Sequence, residues 1–332
     1  MSGQVRNGRF TTQKARRNPV PADFLCSAAF PPHGFLGYLG YFRVLFSFAV
    51  ASLIDQNQRF VLLEIGLSIM YPRNLHTHTW RCKHAIGDVV DYCEAALAAN
   101  LKVLGFSEHA PLPNDPWDHV HMDMHQLQGY SDAIAMAKAS YAGRLKVLQA
   151  LECEYVPENH NFYVEELCGR QGCDYLIGGA HWYPDPDQKE WPCSFYDIKT
   201  AEDMRKFSRY TVSMIESGLF AFIAHPDVFA HCYYVWDADT EACCRDILAA
   251  AAAHKVALEL NALGLRRPIH ETPQGRRRPY PYRPFWELAA DYDVTIVCNS
   301  DAHQPGDIVA QLDQVWKIAV EIGLREDPMF ME

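Results

Sequence analysis

The chain has 332 residues, 49% of them hydrophobic and 21% charged, which is ample for a buried core and excludes a disordered polymer. A formal net charge of -11 argues against nonspecific nucleic-acid binding, since a protein that neutralises phosphates is usually basic overall, although a local basic pocket for one phosphate stays open. Its eleven cysteines include no CxxC pair and read as reduced thiols of a cytoplasmic protein rather than a disulfide framework.

Residues 1–69 stand apart. Arg6, Arg9, Lys14, Arg16 and Arg17 precede an apolar stretch over 35–54 whose only charge is Arg43. Its length suits a membrane anchor. An appended helix packed on the domain and translated upstream sequence from a misplaced start are the competing readings. The last is favoured, because Met70 is followed at once by the first motif-bearing strand, Met70-Tyr71-Pro72-Arg73-Asn74-Leu75-His76. The expectation is an extension over 1–69 and one catalytic domain over 70–332, with no membrane partner unless the extension is a genuine anchor.

From Met70 onward short apolar runs alternate with segments of helical period. Strands are predicted at 74–76, 102–107, 146–153, 175–178, 220–224, 256–260 and 294–298. Helices are predicted at 87–100, 126–142, 201–217, 240–254, 285–292 and 308–322; in the first, Val89, Val90, Cys93, Ala96 and Leu97 fall at helical spacing. This alternation is the pattern of a parallel α/β protein, and seven strands suggest a barrel with an outer ring of helices. Two stretches, 184–192 and 266–283, carry prolines and charges and read as irregular loops of the kind that shape a substrate pocket.

Histidines and acids recur just after the apolar runs. In His76-Thr77-His78, residues i and i+2 of an extended segment point the same way, so both imidazoles can approach one cation. The pair alone is weak, but the pattern repeats at Ser107-Glu108-His109, at Gly179-Ala180-His181, at His225-Pro226-Asp227 and at Ser300-Asp301-Ala302-His303. On a parallel barrel such placement gathers ligands on one rim. Imidazole with carboxylate suits zinc, manganese or iron. Glu152 follows Ala150-Leu151 inside an apolar run, where its carboxylate would be desolvated unless a cation neutralised it. It is therefore expected to bridge two metals. Glu154, two residues on, is either an acceptor for a ligand imidazole or solvated. His119, His121 and His125 read as solvated or pocket-rim residues, and His33, His160, His231, His254 and His270 as surface residues.

The set His76-x-His78, Cys82-x-His84, Ser107-Glu108-His109, Leu151-Glu152, His181, His225-Pro226-Asp227 and Ser300-Asp301-Ala302-His303 resembles the PHP family, the polymerase and histidinol phosphatase phosphoesterases, over about residues 70–325. Asn261-Ala262-Leu263-Gly264-Leu265-Arg266 followed by Tyr280-Pro281 is similar to its histidinol-phosphatase branch. The resemblance implies a distorted (β/α)7 barrel with three divalent metals (zinc, manganese or iron) at the C-terminal ends of its strands. It implies a first metal on His76, His78, Glu152 and Asp301, a second sharing Glu152 and adding His181 and His225, and a third on His84, His109 and His303. One departure is Glu108, where many relatives carry Asp. The implied activity is hydrolysis of a phosphate monoester, foremost L-histidinol phosphate in histidine biosynthesis. The alternatives are a phosphoesterase of the same family acting on another phosphate monoester or on nucleic-acid ends, against which the acidic net charge counts, and a noncatalytic metal-binding module, disfavoured because every ligand position is filled. No nucleic-acid partner is expected. The oligomeric state is left open.

Phosphate monoesters resist hydrolysis because the nucleophile must approach a dianion, and clustered cations supply both an activated water and neutralising charge. The leaving alkoxide needs a proton or a cation, with Asp227, Asp301 or a metal-bound water as candidates among which the sequence does not choose. Arg266 and Arg267 carry the planar donor fork that suits phosphate, against the alternative of a solvated basic loop.

Overall fold

The computed structural model describes residues 72–331, so the apolar stretch and the arginines of the first 69 residues lie outside the described part. An eight-stranded sheet organises these residues. It runs in the order β1 (Arg73–Asn74), β2 (Val103–His109), β3 (Lys146–Cys153), β4 (Tyr175–Gly179), β5 (Phe222–Ala224), β6 (Ala257–Asn261), β9 (Thr295–Asn299) and β10 (Arg325–Glu326). Every neighbouring pair is parallel. The sheet curls until its ends approach: Thr77 and Ala302 form a parallel bridge, and the backbone N–H of His78 donates to Ala302 O at 2.9 Å. At the opposite end β10 fills the gap, where Arg73 on β1 reaches Glu326 at 3.1 Å and donates to Asp327 O and Met329 O. The seven expected strands are all present, and the two-residue β10 is the addition.

Period-two alternation decides what fills the barrel. On β3, Leu148 and Ala150 face inward with Tyr175 and Ile177 of β4, Phe222 and Ala224 of β5, Ala257 of β6 and Val297 of β9. Val147, Leu151 and Cys153 face outward onto the helices. The same alternation carries Glu152 to the top of the interior, where Glu259 of β6 and Asn299 of β9 are also fully buried. Parallel strands then deliver every strand-end side chain to one rim.

The outer layer contains α1 (Val89–Ala98), α2 (Leu127–Ser140), α3 (Ala201–Glu216), α4 (Ala238–His254), α5 (Leu263–Arg266), α6 (Arg283–Ala289) and α7 (Leu312–Ile322). Two of these starts are fixed by capping boxes, Asp88 with Asp91 on α1 and Thr200 with Asp203 on α3, which satisfy backbone N–H groups that a helix leaves unpaired. The helix that follows β3 was not expected: Phe162–Arg170 winds as a π-helix and buries Tyr163 and Leu167. The expectation that 266–283 is irregular also needs correction. That stretch begins on α5 and continues into an antiparallel hairpin, β7 (His270–Thr272) with β8 (Gly275–Arg277). Its three-residue strands are too short to show alternation. Arg277 holds the hairpin to the rim by donating to Ala230 O at 2.9 Å and stacking 4.5 Å from the Tyr282 ring. No helix of the described residues is long and apolar enough to cross a membrane.

Candidate metal centre

Glu152 stands at the centre of the rim. Its Oε2 lies 3.2 Å from His76 Nε2, 3.5 Å from His78 Nε2 and 3.3 Å from His109 Nδ1. The other oxygen, Oε1, lies 3.3 Å from His181 Nε2 and 3.2 Å from His225 Nε2. Asp301 Oδ1 completes the first group, 3.2 Å from His78 Nε2 and 3.6 Å from His76 Nε2. Metal–ligand bonds of 2.0–2.1 Å in a tetrahedral shell put neighbouring donors about 3.3 Å apart. The observed spacings of 3.2–3.6 Å match the edges such a shell would have.

Both Glu152 oxygens and Asp301 Oδ1 are buried without a hydrogen-bond partner. Two buried carboxylates left so would be strongly destabilising unless cations, or protons on the surrounding imidazoles, met their charge. The residues therefore fit a divalent metal group, with the donor mix of imidazole and carboxylate that suits a first-row transition ion.

Three further carboxylates aim the imidazoles. Glu259 Oε1 meets His76 Nδ1 at 2.7 Å, Glu154 Oε1 meets His181 Nδ1 at 2.5 Å, and Glu108 Oε1 lies 3.4 Å from His78 Nδ1. Each acid engages Nδ1 and leaves Nε2 facing the cluster, the arrangement that fixes a ligand's tautomer and raises its basicity. Glu154 takes the first of its two expected alternatives. Strand-end spacing does not mark Glu259, although it sits inside Ala257-Leu258-Glu259-Leu260 just as Glu152 sits inside its own apolar run. It is fully buried and also accepts from the side chains of Asn261 and Asn299, at 2.7 and 2.9 Å.

Backbone shape contributes. Asp301 and His225 follow their strands with φ of +52° and +30°, turns that swing both side chains inward at a cost in strain. Gly179 on β4 passes so close beneath that a Cβ there would stand 2.7 Å from Glu152 Oε1.

The remaining expected ligands gather beside this pair of groups. His84 and His303 face each other with Nε2 atoms 3.1 Å apart, and the His109 ring centre is 5.3 Å from that of His84. His109 also touches Glu152, so it stands between the third group and the first two. Cys82 offers its sulfur to the same neighbourhood as His84 and His303.

Two expected residues are placed elsewhere. Asp227 is buried with its Oδ2 accepting from Tyr282 N at 2.6 Å and Trp286 Nε1 at 2.8 Å, so it braces the segment leading into α6 rather than facing the cavity. Burial raises its carboxyl to about 6. Arg266 turns its guanidinium onto backbone, donating to Ser300 O at 2.7 Å, Asp301 O at 3.1 Å and Ala310 O at 3.2 Å. It clamps the strained turn that presents Asp301 and does not face the cavity. Arg267 does face it: with Tyr280, Tyr196 and Leu263 it lines a cavity of about 400 Å³ above the ligands, and its Nε is buried without a partner. His121, expected to be solvated or at the rim, is instead buried against Asp115 at 2.8 Å and stacked on His109. His119 lines the cavity mouth.

Charge within the cluster is balanced by protons when cations are absent. Burial pushes His181 down, but Glu152 and Glu154 outweigh it and raise the imidazole to about 10; Asp301 and Glu108 likewise raise His78 to about 9 against burial. Burial would lift the Glu152 carboxyl, yet His76, His181 and His109 hold it well below the usual carboxylate range. A raised imidazole keeps its proton until the pH passes 9 to 10, so its stabilisation of the metal-free fold is full below about 6.5 and is lost above that range. A cation must displace those protons. Metal uptake near neutral pH is therefore expected to release protons and to tighten as pH rises. Titration calorimetry in buffers of different ionisation enthalpy checks this, and a heat independent of buffer contradicts it.

The family model described as PHP domain matches residues 74–263. A relative from Deinococcus radiodurans named as a probable histidinol-phosphatase is 31% identical over 258 residues, spanning 75% of this chain and 93% of its own. The histidinol-phosphatase of Bacillus subtilis is 36% identical over 95 residues, 27% of this chain and 35% of its own. Among solved structures, histidinol phosphate phosphatase from Lactococcus lactis, in complex with zinc, L-histidinol and phosphate, superposes with a TM-score of 0.60 at 17% identity, covering 77% of this chain and 95% of its own. That likeness supports the curled barrel, and the family match spans more than half of the chain together with His76, His78, His84, His109, Glu152, His181 and His225. The chain belongs to the PHP-domain family.

Proposed function

We propose that this chain is a metal-dependent phosphomonoesterase of the cytoplasm that converts L-histidinol phosphate to L-histidinol and phosphate in histidine biosynthesis. One observation carries the reading: five imidazoles converge on the two unpartnered oxygens of a single buried carboxylate, Glu152. The names of the Deinococcus and Bacillus relatives, and the ligands of the Lactococcus protein, support the choice of substrate.

Three cations are proposed, one held by His76, His78, Glu152 and Asp301, one by Glu152, His181 and His225, and one by His84, His109 and His303. Bound there, divalent cations supply a Lewis-acidic charge for the phosphoryl oxygens and lower the pKa of water toward neutrality. The chain's own residues do the rest. Arg267 offers its guanidinium to the phosphate from the cavity wall, where low dielectric strengthens a charge-assisted hydrogen bond. Arg266 fixes the Asp301 turn, and Glu108, Glu154 and Glu259 hold the imidazoles in one tautomer. Tyr280, fully buried beside His225, and Phe195, stacked on His181, give the cavity an apolar wall next to the cluster.

The test is phosphate release from L-histidinol phosphate against simple aryl and sugar phosphates. A preference above roughly tenfold, about 1.4 kcal/mol in the transition state, is expected; a smaller one discards the histidine assignment and leaves the hydrolase standing.

The catalytic unit is proposed to span 70–332, because β1 and every proposed ligand lie within it. A chain starting at Met70 is expected to be soluble and as active as the full one. Aggregation of that truncation, or fractionation of the native protein with membranes, would refute the proposal.

A further inference from the structure

The metal cavity suits the phosphate end of a substrate but holds no free acid for an amine: its lining carboxylates are Glu152 and Asp301, and both face the imidazole cluster. A second cavity of about 510 Å³ adjoins it and shares His119 and Trp182 with it. Indoles dominate this second space. The Trp182 ring lies 5.9 Å from that of His181, Trp117 stacks on Trp182 at 5.0 Å and 20°, and Trp191 meets Trp117 edge to face at 5.4 Å. Two ring contacts thus lead from a proposed ligand to the aromatic floor.

The loop over 184–192 supplies the rest. It is closed at its base by the backbone bridge between Trp182 and Cys193 and tied down by Asp185 to Lys206 at 2.7 Å. Glu190 lines the cavity, and its carboxylate has no ion-pair or hydrogen-bond partner among the described residues. Lys189 lines it too, and both residues stand exposed on the loop, so the site has no strong net charge; selection there rests on one acid lining the same cavity as three indoles. Indole faces attract cations through their quadrupole and stack on flat rings, and a nearby carboxylate adds directional charge.

We infer that the Trp117, Trp182 and Trp191 cavity with Glu190 is the leaving-group subsite, which selects phosphomonoesters whose alcohol carries a protonated amine beside an aromatic ring. The inference rests on the phosphomonoesterase reading and adds to it the residues that read the alcohol. Trp182, shared by both cavities, lies where the ester's carbon chain passes from one to the other. The phosphate stays with Arg267 and the cluster.

The experiment compares L-histidinol phosphate with its deamino analogue, 3-(imidazol-4-yl)propyl phosphate, which keeps the ring and loses only the amine. Metal-loaded wild-type protein is expected to favour the amine-bearing ester in kcat/KM by at least about tenfold. Glu190→Gln and Trp191→Leu are each expected to bring that ratio within about threefold, mainly through KM, at wild-type metal content, with Glu190→Asp recovering part of it. Full retention of the ratio in both variants overturns the inference, as does wild-type protein that cleaves the two esters equally, and either outcome leaves the substrate reading intact. Protein that cleaves an aryl phosphate but neither histidinol ester rejects the substrate reading and this inference together.

Discussion

Glu152→Gln is expected to abolish turnover and to remove most of the bound metal. The carboxylate faces two groups at once, with Oε2 toward His76, His78 and His109 and Oε1 toward His181 and His225. An amide keeps the volume but puts an NH2 donor where an anion faced the cations, so one shell loses a ligand and both lose neutralising charge. The fold should survive, since the barrel interior beneath is built of Leu148, Ala150, Ile177 and Val297 rather than of the cluster. Metal analysis and phosphate release on the same sample check this. Near-normal activity with full metal content would refute the bridging assignment.

Arg267→Ala is expected to lower kcat/KM on the order of 10- to 1,000-fold, about 1.4 to 4 kcal/mol, with metal content unchanged. Lysine there should restore only part of the loss, since a point charge lacks the bidentate fork. Arg266→Ala should behave differently. By freeing the carbonyls of Ser300, Asp301 and Ala310 it loosens the turn carrying Asp301, so its loss of activity should come with weaker metal retention. Identical phenotypes for the two variants would contradict the separate roles assigned to neighbouring residues.

That neighbouring pair shows where reading the chain alone runs out. Both arginines have phosphate-binding chemistry, and only the backbone separates them: Arg266 ends α5, and Arg267 leaves it with extended dihedrals of φ -68° and ψ 159°, so the two side chains diverge. The strand-end ligands were legible for the opposite reason, because parallel strands with period-two alternation send every such residue to one rim whatever the loops do. Glu152 was legible as a carboxylate inside an apolar run. Glu259 bears the same mark, but its meaning depends on β6 curling round to set it under His76, a relation between residues 183 apart in sequence. His121 is buried rather than at the rim because its partner, Asp115, is placed by loop geometry that no periodicity encodes. The β7 and β8 hairpin and β10 are too short for any periodic signal.

The central claim is that the imidazole and carboxylate cluster is a multinuclear metal centre for phosphomonoester hydrolysis. Its most direct test is to strip the purified protein with a chelator, restore zinc, manganese or iron in measured equivalents, and follow phosphate release from L-histidinol phosphate alongside bound metal. Activity is expected to vanish on stripping and to return only as more than one equivalent binds. Full hydrolysis by metal-free protein, or saturation of activity at a single bound ion, would contradict the account.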